Sequence, residues 1–262
     1  MARLGLGGAA LMLAASLAGP GQAQMAGVNM ALPKMTEAQL TRADVEARLA
    51  AATQDAPADF TRLWLNGLDL SGLDFSGAIL RATALNGADL SGARLDGAVL
   101  SQAWMVEANL TGASLVGAEL FQTQMSGADL TDADLSGSRA AANFTKATVT
   151  NTSFRGADFS ADMRNQSMGL MRGVLRSAKG AGADFSGAAM SRADLEFAKL
   201  PGAKFDGADL SMATMGGADL SGASVDGADF TDADLTSTRL KDITGAEDAN
   251  LEDARNLDRA FR

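Results

Sequence analysis

The chain has no cysteine, no histidine and no tyrosine among its 262 residues. Without cysteine it forms no disulfide, whatever compartment it occupies. Without cysteine and histidine it lacks the usual thiol or imidazole partners of nucleophilic catalysis and the usual ligands of zinc. Aromatic residues make up only 5%, and prolines number four. Carboxylates are plentiful: 32 Asp and Glu face 22 Lys and Arg, a formal net charge of −10. They are spread along the chain, and no local context marks a pair as general acid and general base. No glycine-rich phosphate loop stands between a strand and a helix. These absences speak against an enzyme, and nothing calls for a cofactor.

What the chain has in abundance is a repeat of five. Residues 87–136 run GADLSGARLDGAVLSQAWMVEANLTGASLVGAELFQTQMSGADLTDADLS. Leu90, Leu95, Leu100, Met105, Leu110, Leu115, Leu120, Met125, Leu130 and Leu135 recur at every fifth place, with Ala two residues before each except at Thr123. In an α-helix, steps of five would scatter these leucines round the circumference. In a straight strand, an odd repeat would flip successive leucines between faces. Both conflicts vanish if the chain bends once per repeat. The large residue and the Ala two before it then point inward, and the Asp, Asn, Ser, Thr and Gly between them face water. Successive turns stack, each burying the next.

This pattern resembles the pentapeptide repeat family, whose signature stands here as ADLSG at 88–92 and 218–222, ANLTG at 108–112, ADLTD at 128–132 and ADFTD at 228–232. The resemblance covers roughly residues 58 to 254. It implies an all-β fold: a right-handed, four-sided β-solenoid with four pentapeptides, hence twenty residues, per coil. Residues 58–248 would form about nine coils, a rod about 43 Å long at a strand spacing of about 4.8 Å.

Residues 1–23 read as a cleavable signal peptide. Arg3 gives a positive start, Leu4 to Leu17 is uncharged and mostly apolar, and Gly21-Gln22-Ala23 supplies small residues for cleavage. An uncleaved anchor is the alternative. Cleavage removes Arg3, so the charge of −10 becomes −11. The expected location is periplasmic or secreted, with no stable membrane span after processing. Residues 24–57 hold a linker and a short helix over Thr36 to Thr53 that covers the first coil. Thr36-Glu37-Ala38-Gln39 is its capping box, and Val45, Leu49 and Ala52 share one face. Residues 249–262 form a C-terminal cap with helical character.

The repeat slips between 141 and 180. Phe144, Val149, Phe154 and Phe159 arrive one residue early, and Leu170 and Leu175 restore the count. If the two slips cancel, this stretch fills two whole coils. Phe185 then follows Phe144 on one side, and Leu170 follows Val149 on the next.

Three surface features stand out. Asp69, Asp89, Asn109 and Asp129 share one outward position in successive coils, continued by Asp209 and Asp229; a bound cation would relieve their repulsion. Splayed, solvated carboxylates are the plainer account. Trp64 and Trp104 share another outward position two coils apart, with Ala84 between them. Such a pair grips an aromatic, a sugar ring or a partner helix, unless the N-terminal helix covers it. Finally, between Ser160 and Gly180, Arg164, Arg172, Arg176 and Lys179 oppose only Asp162, beside Met163, Met168 and Met171. Those methionines could serve as soft ligands for Cu(I) or as plain filler. Irregular segments are where repeat scaffolds carry function, so Arg164, Arg172 and Arg176 are candidate contacts for an anionic partner.

The reading is an exported, non-enzymatic scaffold that binds a protein or envelope component and no nucleic acid. The resemblance also implies an alternative: some family members imitate duplex DNA and bind DNA gyrase, which gives quinolone resistance. A homodimer through the C-terminal end is a further expectation from the family.

Overall fold

The computed structural model describes residues 29–160 and 171–262. The signal peptide, the start of the linker, Arg164, Met163, Met168 and Leu170 lie outside the described residues. Two short helices come first: α1 over Pro33–Thr36 and α2 over Arg42–Ala50. From Ala58 onward the chain winds into coils of four sides.

The winding is fixed by parallel bridges between residues 20 apart, such as Trp64 to Ala84, Asp69 to Asp89 and Asp74 to Arg94. Each side contributes one bridging residue between two-residue corners, so strands never lengthen beyond it among the described residues. A five-residue period leaves no room for more. The backbone is paired nonetheless: Leu65 N–H donates to the Ala84 carbonyl at 2.7 Å, and Ala84 N–H donates to Leu63 at 2.9 Å. Leu65, Leu70, Leu80 and Leu85 are fully buried, and the alanines two places before most large residues are buried with them. The inward assignment made from the repeat therefore holds.

Four walls result. Wall 1 carries Asp59, Ile79, Val99 and Glu119; wall 2 carries Trp64, Ala84, Trp104 and Gln124. Wall 3 carries Asp69, Asp89, Asn109 and Asp129; wall 4 carries Asp74, Arg94, Ser114 and Asp134.

The register then changes twice. Between Gln124 and Asn143 the step is 19, the early arrival read from Phe144. The next step, Asn143 to Val174, is 31, an excess of eleven over the regular 20. The slips do not cancel. Gly173 N–H donates to the Phe159 carbonyl at 2.8 Å, so Gly173 resumes the column directly beside Phe159. Consequently Leu175, not Phe185, follows Phe144, and Gly180, not Leu170, follows Val149. Phe185 instead follows Phe154, and the two rings stack with centroids 5.0 Å apart and planes 4° apart. Phe205 continues the stack at 5.1 Å. This buried aromatic column holds the coils together across the change of register.

Both ends depart from expectation. The predicted helix over Thr36 to Thr53 is split, because Ala38 pairs antiparallel with Leu65. The capping box belongs to Thr41 and Asp44 instead, with Thr41 N–H donating to the Asp44 carboxylate at 2.9 Å. Val45 is buried, and Leu49 and Ala52 pack on the core as expected. α2 lies across the first coil, where Arg42 Nη1 and Nη2 donate to the carbonyls of Asp69 and Ser71 and Arg48 Nη1 donates to that of Asp59. At the other end two short 3₁₀ turns, Leu251–Asp253 and Leu257–Arg259, alternate with bridging residues. Arg255 bridges Asp234 and Phe261 bridges Arg239, so the tail adds a looser coil with short helical turns to the column. No helix among the described residues is long and apolar enough to cross a membrane.

Gly173 is the position on which the return depends. A Cβ there would lie 2.5 Å from Phe159 Cδ1 and 2.7 Å from its Cβ. Gly173→Ala should therefore destabilise the rod by about 1–3 kcal/mol through overpacking. Gly187→Ala, at a corner with nothing within 4 Å, should cost about 1 kcal/mol from its left-handed backbone alone. Urea midpoints of the two variants compared with the parent test the ranking.

Candidate functional site

Nearly every described corner of the coil, the shortened one at residues 140–142 excepted, has one residue with positive φ, a conformation that glycine adopts without strain. The four edges of the rod solve this differently. Along the edge between walls 4 and 1, every such corner from Gly77 to Gly227 is glycine. Along the edge between walls 1 and 2 none is: Arg62, Ala82, Gln102, Gln122, Arg192, Met212 and Asp232 occupy it, all with φ between 54° and 64°. A side chain held in the left-handed region costs about 1 kcal/mol or more, and repetition of that cost marks a surface shaped by something besides folding.

The same edge gathers two of the features singled out in the sequence. Asp158 stands on wall 1 and Val174 on wall 2, so the change of register falls at this edge. Met171, on its return, lies against the Gln122 amide and lines an open cavity of about 370 Å³ with Ala82, Gln102, Trp104, Gln122 and Gln124. Trp104 is half-buried and Gln102 exposed. The tryptophans themselves are separated in role. The Trp64 backbone pairs with the link between α1 and α2, Gln39 N–H donating to the Trp64 carbonyl at 2.7 Å and Trp64 N–H to Gln39 Oε1 at 3.0 Å, while its side chain is half-buried like that of Trp104.

The arginines turn toward the rod. Arg176 Nη2 lies 3.2 Å from Asp194 and 2.5 Å from Glu196, and Arg172 lies 3.7 Å from Asp194. The Asp194 side chain is fully buried, and Arg176 is only 15% exposed. Asp194 sits at a position the repeat assigns to solvent; the returning chain buries it and supplies its counter-charges. Arg172 and Arg176 thus fasten the excursion to the coil. Arg164 lies outside the described residues.

The acidic column belongs to a different wall. Asp69, Asp89, Asn109 and Asp129 do stack on wall 3, but Asp209 and Asp229 fall on wall 1 because of the change in register. Wall 3 continues as Thr148, Lys179 and Lys199. Its carboxylates already have partners. The Ser71 hydroxyl and backbone N–H donate to Asp69, Thr131 does the same for Asp129, and the Asn109 amide donates to Asp89 at 3.0 Å. Among the described residues no group of three His, Cys, Asp or Glu could hold a metal ion. The hydroxyl donor two residues on recurs along the rod and had no counterpart in the sequence reading. It explains why Ser or Thr so often follows the large residue: the side chain of Asp at one position caps the next corner.

A column of stacked coils with one ornamented edge defines a repeat scaffold. The chain belongs to the pentapeptide repeat family, a family of right-handed β-solenoids: eight copies of the repeat match at residues 58–92, 93–137, 181–217 and 213–243. The unmatched stretch between 138 and 180 is the one that carries the change of register. The chain is similar to HetL, a pentapeptide repeat protein involved in heterocyst differentiation regulation from the cyanobacterium Nostoc sp. strain PCC 7120. They share 31% identity over 85% of this chain and 95% of that one, with a TM-score of 0.31. A trypsin-treated QnrB1, a plasmid-mediated fluoroquinolone resistance protein, shares 21% identity over 72% and 82% of the two chains, with a TM-score of 0.37. A pentapeptide repeat protein of the Arabidopsis thaliana thylakoid lumen shares 28% over 64% and 68%, with a TM-score of 0.15. No curated protein matches the chain.

Two outcomes follow from these contacts. Arg176→Ala leaves the buried Asp194 with only the more distant Arg172, and should destabilise by about 3 kcal/mol in urea titrations. The second concerns acid. The hydroxyls of Thr61, Ser71 and Thr236, seconded by their backbone N–H groups, hold Asp59, Asp69 and Asp234 below the usual aspartate range. A carboxyl depressed in the folded state means that the unfolded chain binds more protons, so stability rises with pH across this range. Stability should be constant above about pH 5 and fall progressively toward about pH 2. Thermal midpoints measured across that interval check the sign.

Proposed function

We propose that the protein is an exported, non-enzymatic repeat scaffold, periplasmic or secreted, that binds a protein or envelope component along the edge between walls 1 and 2. On this reading the rod has about nine coils, with α2 covering its first coil and residues 249–262 closing the last. The observation that carries the proposal is the asymmetry of the edges: side chains in left-handed backbone along one, glycine along its neighbour. A rod selected only for stability would use glycine at both.

The alternative, a DNA-like rod bound by gyrase, draws on the charge of −10 and on the similarity to QnrB1, a fluoroquinolone resistance protein. Against it, an unbroken acidic wall is needed, and wall 3 is interrupted by the exposed Lys179 and Lys199. A two-fold contact through the C-terminal coil would use the apolar hollow lined by Leu240, Ile243, Leu251 and Leu257.

The mature protein should begin at Gln24 and be recovered outside the cytoplasm, as judged by fractionation and intact mass. A soluble cytoplasmic form that keeps residues 1–23 and blocks gyrase supercoiling would replace this reading with the alternative.

A further inference from the structure

The lower face of the first coil is closed unevenly. In the regular column a wall residue pairs twice with the coil below: Ala84 N–H donates to Leu63, and the Ala84 carbonyl accepts from Leu65. The first coil has no coil beneath it, and the N-terminal segment serves instead. Arg48 caps the Asp59 carbonyl on wall 1, Gln39 N–H the Trp64 carbonyl on wall 2, and Arg42 the Asp69 carbonyl on wall 3. Wall 4 is left out. Among the described residues neither the N–H nor the carbonyl of Asp74 has a partner, and the Ser76 carbonyl beyond it has none either. The segment that a step of 20 would place there turns away. Thr53 N–H donates to the Ala56 carbonyl at 3.0 Å, Ala56 N–H to the Thr53 carbonyl at 3.2 Å, and Pro57 has no N–H to give. Open strand edges recruit other chains, and this one stays open while its three neighbours are capped.

Beneath the edge lies an open cavity of about 700 Å³, a volume within the range of ligand sites. Leu49, Ala52, Leu73 and Ala78 give it an apolar surface, and Glu46 and Asp74 bring carboxylates. Leu49, Ala52 and Leu73 are only partly buried against the core, so they keep surface for a further side chain. Among the described residues the lining includes no Lys or Arg. Arg42 pairs with Glu46 at 2.7 Å and Arg94 stands 3.9 Å from Asp74, yet the two carboxylate side chains remain 48% and 60% exposed. The described chain begins on the opposite edge of the rod, where the carbonyls of Lys34 and Met35 accept from the Asn66 and Asn86 amides.

We propose that the lower edge of wall 4 receives an extended, basic peptide segment of a partner protein, added as a parallel strand beneath Asp74. One peptide carbonyl accepts from the Asp74 N–H, and the N–H two residues later donates to the Asp74 carbonyl, the pairing that every wall repeats from coil to coil. Main-chain bonds supply the attachment and alternate side chains the selectivity. The two residues that make these bonds point to one face of the strand, so aliphatic side chains there meet Leu49, Ala52 and Leu73. Residues between and beyond them face outward, where Lys or Arg reaches Glu46 and Asp74. This surface lies below wall 4 and is separate from the edge between walls 1 and 2.

The test uses the mature chain and a fluorescein-labelled peptide, Lys-Val-Thr-Val-Lys, blocked at its C-terminus and followed by anisotropy. Saturable binding with Kd below about 1 mM is expected. N-methylation of the second Val removes the donor to Asp74 and should weaken binding about tenfold, whereas N-methylation of Thr, whose N–H points away from the wall, should change it little. Asp74→Asn keeps an acceptor for the Ser76 N–H but loses the charge, and should weaken binding about two- to fivefold. Hydrogen exchange at the Asp74 amide should slow when the peptide is bound, while exchange at the Asp59 and Asp69 amides, also unpaired among the described residues, should not. No saturable binding up to about 10 mM, an unchanged Asp74 exchange rate, or equal affinity of the two N-methylated peptides would overturn the proposal. So would slowing of Asp74 exchange with rising protein concentration and no peptide, which assigns the edge to a second copy. Peptide binding found only after residues 24–28 are removed would assign it to the chain's own N-terminus and overturn the proposal equally.

Discussion

The whole rod depends on the backbone bond from one coil to the next. Each wall residue both donates to and accepts from its neighbours in the stack, as Leu65 does to Ala84 and Ala84 to Leu63. In a plane of extended chain this ladder would run on indefinitely. Here it is interrupted at every corner, so each bond is secured by the inward pair of large residue and alanine that sets the distance across the coil. Interior width and coil spacing are therefore one constraint. Where the width is disturbed, at Gly180, the neighbours close in: an added Cβ would meet Val149 at 2.4 Å and Leu200 at 2.9 Å.

The outward positions have no such constraint, and they divide the work. The Ser and Thr hydroxyls bind the Asp carboxylates two residues back, which satisfies corner N–H groups and removes the acids from circulation as ligands. Most of the charge of wall 3 in its first half is spent this way, with Arg42 of α2 3.0 Å from Asp69 as a further partner. The edge between walls 1 and 2 is set apart from this division by side chains, not glycine, at its left-handed corners.

The inward pattern was fully legible from sequence, because period and side-chain size are local properties. The one-residue deletion before Phe144 was legible for the same reason. The excess of eleven was not. The residue that follows Val149 is set by the closure of Gly173 on Phe159, which makes it Gly180. The arginines were found by composition, yet their engagement with Asp194 joins residues 18 to 22 positions apart and appears only once the coils are correctly stacked. Thr36 and Thr41 both head plausible capping boxes. The choice between them was made by the pairing of Ala38 with Leu65, a contact that no local rule contains. The glycine-free edge lay in plain view, but only a correct wall assignment reveals that its residues share a line.

The excursion between Phe159 and Gly173 has a mechanical consequence. Since Gly173 N–H donates to the Phe159 carbonyl, the rod above and below that corner is continuous, and Phe154, Phe185 and Phe205 stack across it. Chain length at that corner is then uncoupled from the geometry of the column, and closing a longer loop there costs only slowly more entropy. The corner works as a socket. A change of length at that corner leaves the stack of Phe154, Phe185 and Phe205 as it is.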